Sequence, residues 1–262
     1  MSRRAVILFL CSVLAFFAGL DFMLWHIDYA GVVRYTLDYA DLQAHAVPAP
    51  DGIRYEPGTY ALRMYTVTIG ADGLRAVPES RGGACRIAFV GDSIVFGMGS
   101  DISFVDLLAP DIDATVINAG IPGYGVENVA AELDSIAADG YVWLAFRNDS
   151  EPPLVYARPS GSIPPALLLY RDYLNPPPAP PLRPDYFREH AAPILTRADV
   201  LVFAFDGLPL SDIAAEYGAH RIPNYHYAVS KYDGHANERG NAEVADSMRD
   251  AVAAFVERTC HN

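Results

Sequence analysis

Ser93 lies in "RIAFVGDSIVFGMGS", where an apolar run from Ile87 to Val90 stops at Gly-Asp-Ser. A serine hydroxyl is a weak nucleophile until a base takes its proton, and that base needs an acceptor on its other nitrogen to orient it. Attack on an ester carbonyl also builds an oxyanion, which needs two or three fixed donors. The chain holds candidates for each part. Asp233 and His235 stand together in "KYDGHANERG", Gly120 in "NAGIPGYG" leaves a backbone N–H open to close approach, and Asn148 in "FRNDS" carries an amide donor. Each also has a plainer use: Ser93 as a helix cap, Gly120 as a turn glycine, Asn148 as a turn residue beside capping Asp149 or Ser150, His235 as a structural histidine.

A short apolar run closed by turn residues reads as a buried parallel strand, and reactive groups gather just past the carboxyl ends of such strands. From residue 86 onward the pattern alternates. Strands are predicted over 86–90, 114–118, 141–146 and 200–205, and helices over 103–108, 126–138, 185–196, 211–217 and 241–258. Such alternation predicts a three-layer α/β/α sandwich around a parallel sheet. Residues 27–83 read as a lead-in with short strands, turning at Pro57-Gly58 and Ala71-Asp72-Gly73, and residues 84–262 as the main domain. The proline-rich stretch 151–184 interrupts that domain; it cannot be regular helix or internal strand, and is expected to shape the substrate opening or to meet a membrane or partner.

The amino terminus bears on the compartment. After Arg3 and Arg4 the chain is uncharged from Ala5 to Leu20, and apolar again from Phe22 to Trp25. At helical rise that is about 30 Å, the thickness of a bilayer core. No small-x-small cleavage site follows, and Cys11 is too early for a lipoprotein site. Residues 1–26 are therefore read as an uncleaved single-pass anchor in the inner or cell membrane, with a signal peptide and a buried core helix as alternatives. The flanking arginines put the rest of the chain in the periplasm or outside the cell. In such an oxidising compartment Cys85 and Cys260 could pair; the alternative is two free thiols.

With 262 residues, 52% of them apolar, the chain can bury one sizeable core. A net charge of -13 and the absence of any basic stripe exclude a nucleic-acid surface. His226 and His235 lack metal-ligand spacing, and neither GxGxxG nor a phosphate-loop lysine is present, so no metal and no nucleotide cofactor are expected.

The blocks "VGDSIVFGMG", "NAGIPGYG", "RND" and "DGHAN" stand in the order and at about the distances of the blocks of SGNH (GDSL-type) hydrolases. Residues from about 84 to 258 resemble that family throughout, and the lead-in "YTVTIGADGLRAVPES" is similar to members found with bacterial surface-polysaccharide genes. The resemblance implies a flavodoxin-like sheet order and a serine esterase or acyl-transfer activity. Carried over by position, it implies Ser93 as nucleophile, His235 as general base with Asp233 as its acid, and the N–H groups of Ser93 and Gly120 with the Asn148 amide as the oxyanion hole. The implied substrate is an acyl ester, with an O-acetyl group on a glycan as the analogy. Two positions depart from the family pattern. The acid usually stands three residues before the histidine, where this chain has Tyr232, and the third block usually carries a glycine where Phe146 stands. Three functions remain open at this point: an anchored esterase, an O-acyltransferase acting on extracytoplasmic polysaccharide with the same residues, and a catalytically silent anchored binding or assembly protein.

Overall fold

The computed structural model describes residues 2–27, 31–78, 80–151, 181–230 and 233–261. Helix α1 spans Arg3–Ile27 and α2 Val32–Ala44. Two antiparallel hairpins follow, β1 (Ala46–Ala49) with β2 (Gly52–Tyr55), and β3 (Gly58–Ala61) with β4 (Thr66–Ile69). The alternating part then runs β5 (Arg86–Gly91), α3 (Ser93–Phe96), α4 (Phe104–Leu108), β6 (Thr115–Gly120), α5 (Val126–Ser135) and β7 (Gly140–Ala145). It continues with α6 (Pro184–Leu195), β8 (Val200–Phe205), α7 (Pro209–Glu216), β9 (His220–Ile222) and α8 (Glu238–Cys260).

The last five strands form one parallel sheet in the order β6-β5-β7-β8-β9, the flavodoxin-like arrangement. Alternate residues of each central strand enter opposite cores, which is why these strands read as unbroken apolar runs. Ala88, Val90, Trp143 and Val202 face one side with α5, α6 and α7; Ile87, Phe89, Val142 and Phe203 face the other with α4 and α8. Gly140 lets α8 approach the sheet, since a Cβ there would meet the Phe255 ring at 2.8 Å. The order reverses between β5 and β7, so the crevice beyond their carboxyl ends is the natural ligand position.

The expected strands and helices are present, displaced by a few residues at their ends. Helix α8 begins at Glu238 because the Asn237 side chain caps it, accepting the Arg239 and Gly240 N–H groups at 3.0 and 3.1 Å. Helix α2 and strand β9 are additions to the sequence reading. The Cys85–Cys260 disulfide is formed, joining the start of β5 to the end of α8 across 175 residues. Along α1, Arg3–Met23 is long and apolar enough to cross a membrane and none of it is buried. The proline-rich insertion, apart from its two ends, lies outside the described residues.

Candidate active site

The loop after β5 decides what Ser93 can do. Asp92, not Ser93, caps α3: its Oδ1 accepts the Ile94 N–H at 2.8 Å. Ser93 is then the first helical residue, its hydroxyl spared from capping and its own N–H without an intrahelical acceptor. The side chain is half-buried at the sheet edge. Two carboxyls of the strand-exit turns, Asp92 and Asp149, are buried. Burial holds Asp92 above the ordinary aspartate range. Burial holds Asp149 well above it, and the charge of Asp92 adds to that.

His235 arrives on a hairpin rather than a strand of the main sheet. Val229 N–H donates to His235 O at 2.7 Å, Asn237 N–H to Tyr227 O at 3.1 Å, and Ala228 pairs antiparallel with Ala236. This sets the imidazole between its partners: His235 Nε2 is 2.8 Å from Ser93 Oγ, and His235 Nδ1 is 2.6 Å from Asp233 Oδ1. Asp233 reaches the ring from only two residues before His235 because it folds back on its own turn. The same Oδ1 accepts the His235 backbone N–H at 3.1 Å, an Asx turn that carries the carboxylate under the ring. Asp233 is itself pinned, its N–H donating to Ser230 Oγ at 3.0 Å, and is 5% exposed. Tyr232 lies outside the described residues.

Asn148, at the exit of β7, donates from Nδ2 to Tyr124 O at 2.7 Å, and its side-chain amide is also hydrogen-bonded to the buried Asp92 carboxyl. Phe146 needs no glycine: its backbone is extended (φ -130, ψ 176) and its ring meets Phe205 edge-on at 5.9 Å. Asp149 accepts the Phe146 N–H at 2.7 Å, and Ser150 donates to Arg147 O at 2.8 Å, so both serve this turn.

Gly120 requires a correction. It lies inside β6 opposite Gly91, and its N–H donates to Asn118 Oδ1 at 3.1 Å. It is glycine because a Cβ there would strike the Phe96 nitrogen and come within 2.6 Å of the Val95 carbonyl carbon, where α3 crosses the strand. Gly123, which the sequence analysis did not single out, is placed differently. It occupies the turn closed by Tyr124 N–H to Ile121 O at 3.1 Å, with φ at 86°, and its N–H meets no acceptor among the described residues. The Pro122-Gly123 pair is the signal that marks it, since such a turn favours proline followed by a left-handed glycine.

Asp233, His235 and Ser93 thus form a continuous hydrogen-bond chain able to draw a proton off the hydroxyl, beside N–H donors at the same sheet edge. Among the described residues no group of three or more His, Cys, Asp or Glu side chains is arranged to hold a metal ion.

No family model matches the chain, and no curated protein matches it in sequence. Solved structures do match. An α/β hydrolase from the metagenome of Lake Arreo, Spain, is 11% identical, with 68% of this chain and 99% of that one covered and a TM-score of 0.39. A putative lipolytic protein of the G-D-S-L family from Desulfitobacterium hafniense is 12% identical over 65% of this chain and 98% of its own, with a TM-score of 0.38. An acetylxylan esterase from Geobacillus stearothermophilus is 13% identical over 68% and 96%, with a TM-score of 0.35.

Proposed function

We propose that this chain is a membrane-tethered serine hydrolase of acyl esters, with O-acetyl groups on a surface glycan as its substrate class. Ser93 Oγ attacks the ester carbonyl while His235 Nε2 takes its proton, and Asp233 stabilises the imidazolium that results. The oxyanion is met by the Ser93 N–H, the Asn148 side-chain amide and the Gly123 N–H, which replaces Gly120 in this role. The alcohol leaves with the proton from His235, and water, activated by the same nitrogen, releases the acid. One observation carries the reading: the Asp233–His235–Ser93 chain at 2.6 and 2.8 Å, with Asp92 relieving Ser93 of the capping duty. Helix α1 supports the tether, and the Cys85–Cys260 disulfide supports an oxidising compartment beyond the membrane. The acyl-ester class comes from the four sequence blocks.

A fluorophosphonate probe tests the reading on the folded full-length chain. Ser93 is expected to be labelled, and to lose the label in Ser93→Ala and His235→Ala. An unlabelled Ser93 in folded protein would favour a silent binding protein. Turnover of a small aryl acetate without added acceptor is expected; acyl release seen only with a glycan acceptor would make the enzyme a transferase.

A further inference from the structure

We infer that the site acts on esters presented at the bilayer surface, carried by an amphiphile in the leaflet from which α1 emerges; this rests on the tethered-hydrolase reading above. The argument is one of reach. Helix α1 ends at Ile27, and Gly31 is separated from it by three residues. Even fully extended, that chain spans about 14 Å. Gly31 is buried beside the candidate site: a Cβ placed on it would lie 3.7 Å from Ser230 Oγ and 3.7 Å from Met64 Cε. Ser230 Oγ is the acceptor for the Asp233 N–H at 3.0 Å, and Asp233 holds His235. The chain therefore leaves the apolar helix and arrives at once behind the base, with the Ser93 hydroxyl within about 30 Å of the helix end.

Beyond Gly31, helix α2 is held firmly against the domain. Asp38 of α2 accepts the N–H groups of Arg63 and Met64, each at 2.8 Å, and is 1% exposed. Arg63 also reaches Asp38 and Asp41 through Nη1 at 3.2 and 2.6 Å. Leu42 is fully buried, and Gln43 Nε2 donates to Tyr55 OH at 2.9 Å. The Tyr55 ring in turn packs 6.0 Å from that of Phe96, in the helix that begins with Ser93. A flexible linker would let the site range far into solvent. Here only three residues separate Ile27 from Gly31, so the site stays within about 30 Å of the helix end. Among the residues outside α1 whose side chains are described, the exposed large apolar ones are Ile102, Tyr217 and Tyr227. Two of these three belong to segments that carry the site: Ile102 follows α3, and Tyr227 lies on the His235 hairpin.

The test uses the full-length chain in phosphatidylcholine vesicles and two acetylated glucosides, one with a hexadecyl aglycone that enters the bilayer and one with a methyl aglycone that stays in solution. The wild type is expected to prefer the hexadecyl ester by about tenfold or more through confinement to one surface. A helical Glu-Ala-Ala-Ala-Lys spacer of about 20 residues, inserted after Ile27, lifts the site by roughly 30 Å. It is expected to abolish that preference and leave aryl acetate hydrolysis unchanged. If the helical spacer loses aryl acetate turnover, a semi-rigid proline-rich spacer of about 10 residues, extended over a similar distance, replaces it. Equal rates on both glucosides, or a preference that survives the spacer, would overturn the inference while leaving the hydrolase reading intact. Absence of aryl acetate hydrolysis in the wild type would overturn both.

Discussion

Ser93 and His235, the proposed nucleophile and base, are held by different means. Ser93 and Asn148 leave the carboxyl ends of β5 and β7, neighbouring strands whose register pairs Val90 with Trp143, so the sheet itself sets their separation. His235 and Asp233 belong to a hairpin between β9 and α8 and are placed by local hydrogen bonds. These run from Asn237 Nδ2 to Ala228 O at 2.9 Å, from Asp233 N–H to Ser230 Oγ at 3.0 Å, and from the Tyr225 hydroxyl to Gly234 O. The first half costs the whole core to move. The second can be loosened one hydrogen bond at a time, as expected of a segment with few buried apolar contacts.

Removing either reacting atom should break both halves equally. Ser93→Ala and His235→Ala are each expected to lower kcat by about four orders of magnitude or more, and the double variant to be no worse, because residues that act as a unit are non-additive. Additive losses would mean that the halves are not one machine. Next comes the acid. With Asp233 Oδ1 at 2.6 Å from the ring, Asp233→Ala should cost about 10³-fold in kcat, and near-normal steady-state kinetics would show that the base needs no acid partner. On the sheet side, Asn148→Ala should cost about 10²-fold in kcat with KM nearly constant, since an oxyanion donor acts on the transition state. A loss confined to KM would assign Asn148 to ground-state binding.

Legibility in the sequence divides along the same line. Strands β5, β7 and β8 are buried on both faces, so their apolar runs mark both the sheet and the exits that hold Ser93 and Asn148. The hairpin half is harder to read. An aspartate two residues before a histidine looks misplaced until Asp233 is seen to fold back on the His235 N–H. In "NAGIPGYG" the Pro122-Gly123 pair is a turn signal that favours the second glycine, while the crossing of α3 over β6 explains the first. Helix α2 is hidden because its buried positions include the polar Asp38 and Gln43, whose partners Arg63, Met64 and Tyr55 come from later in the chain. Strand β9 is three residues long with His220 and Arg221 exposed, too short and too polar for periodicity to register.

The smallest expected effect is the one that most sharpens the contrast between sheet and hairpin. Tyr225 donates its hydroxyl to Gly234 O, between Asp233 and His235, and its ring meets Phe205 edge-on at 5.6 Å. Desolvation first, then the negative charges of Asp92 and Asp233, hold the phenol above its ordinary value, so it remains a donor. Because the folded-state value is raised, the neutral hydroxyl stabilises fully below the unfolded value of about 10 and is lost only as pH climbs through the folded value. Tyr225→Phe keeps the ring and removes the clamp. It should lower kcat by about tenfold at constant KM and stability by about 1 kcal/mol. In a Tyr225→Phe background Asp233→Ala should then cost less than it does alone, because the acid would already be imperfectly aimed. If the two losses add, Tyr225 merely packs against Phe205, and the hairpin orients Asp233 through its backbone alone.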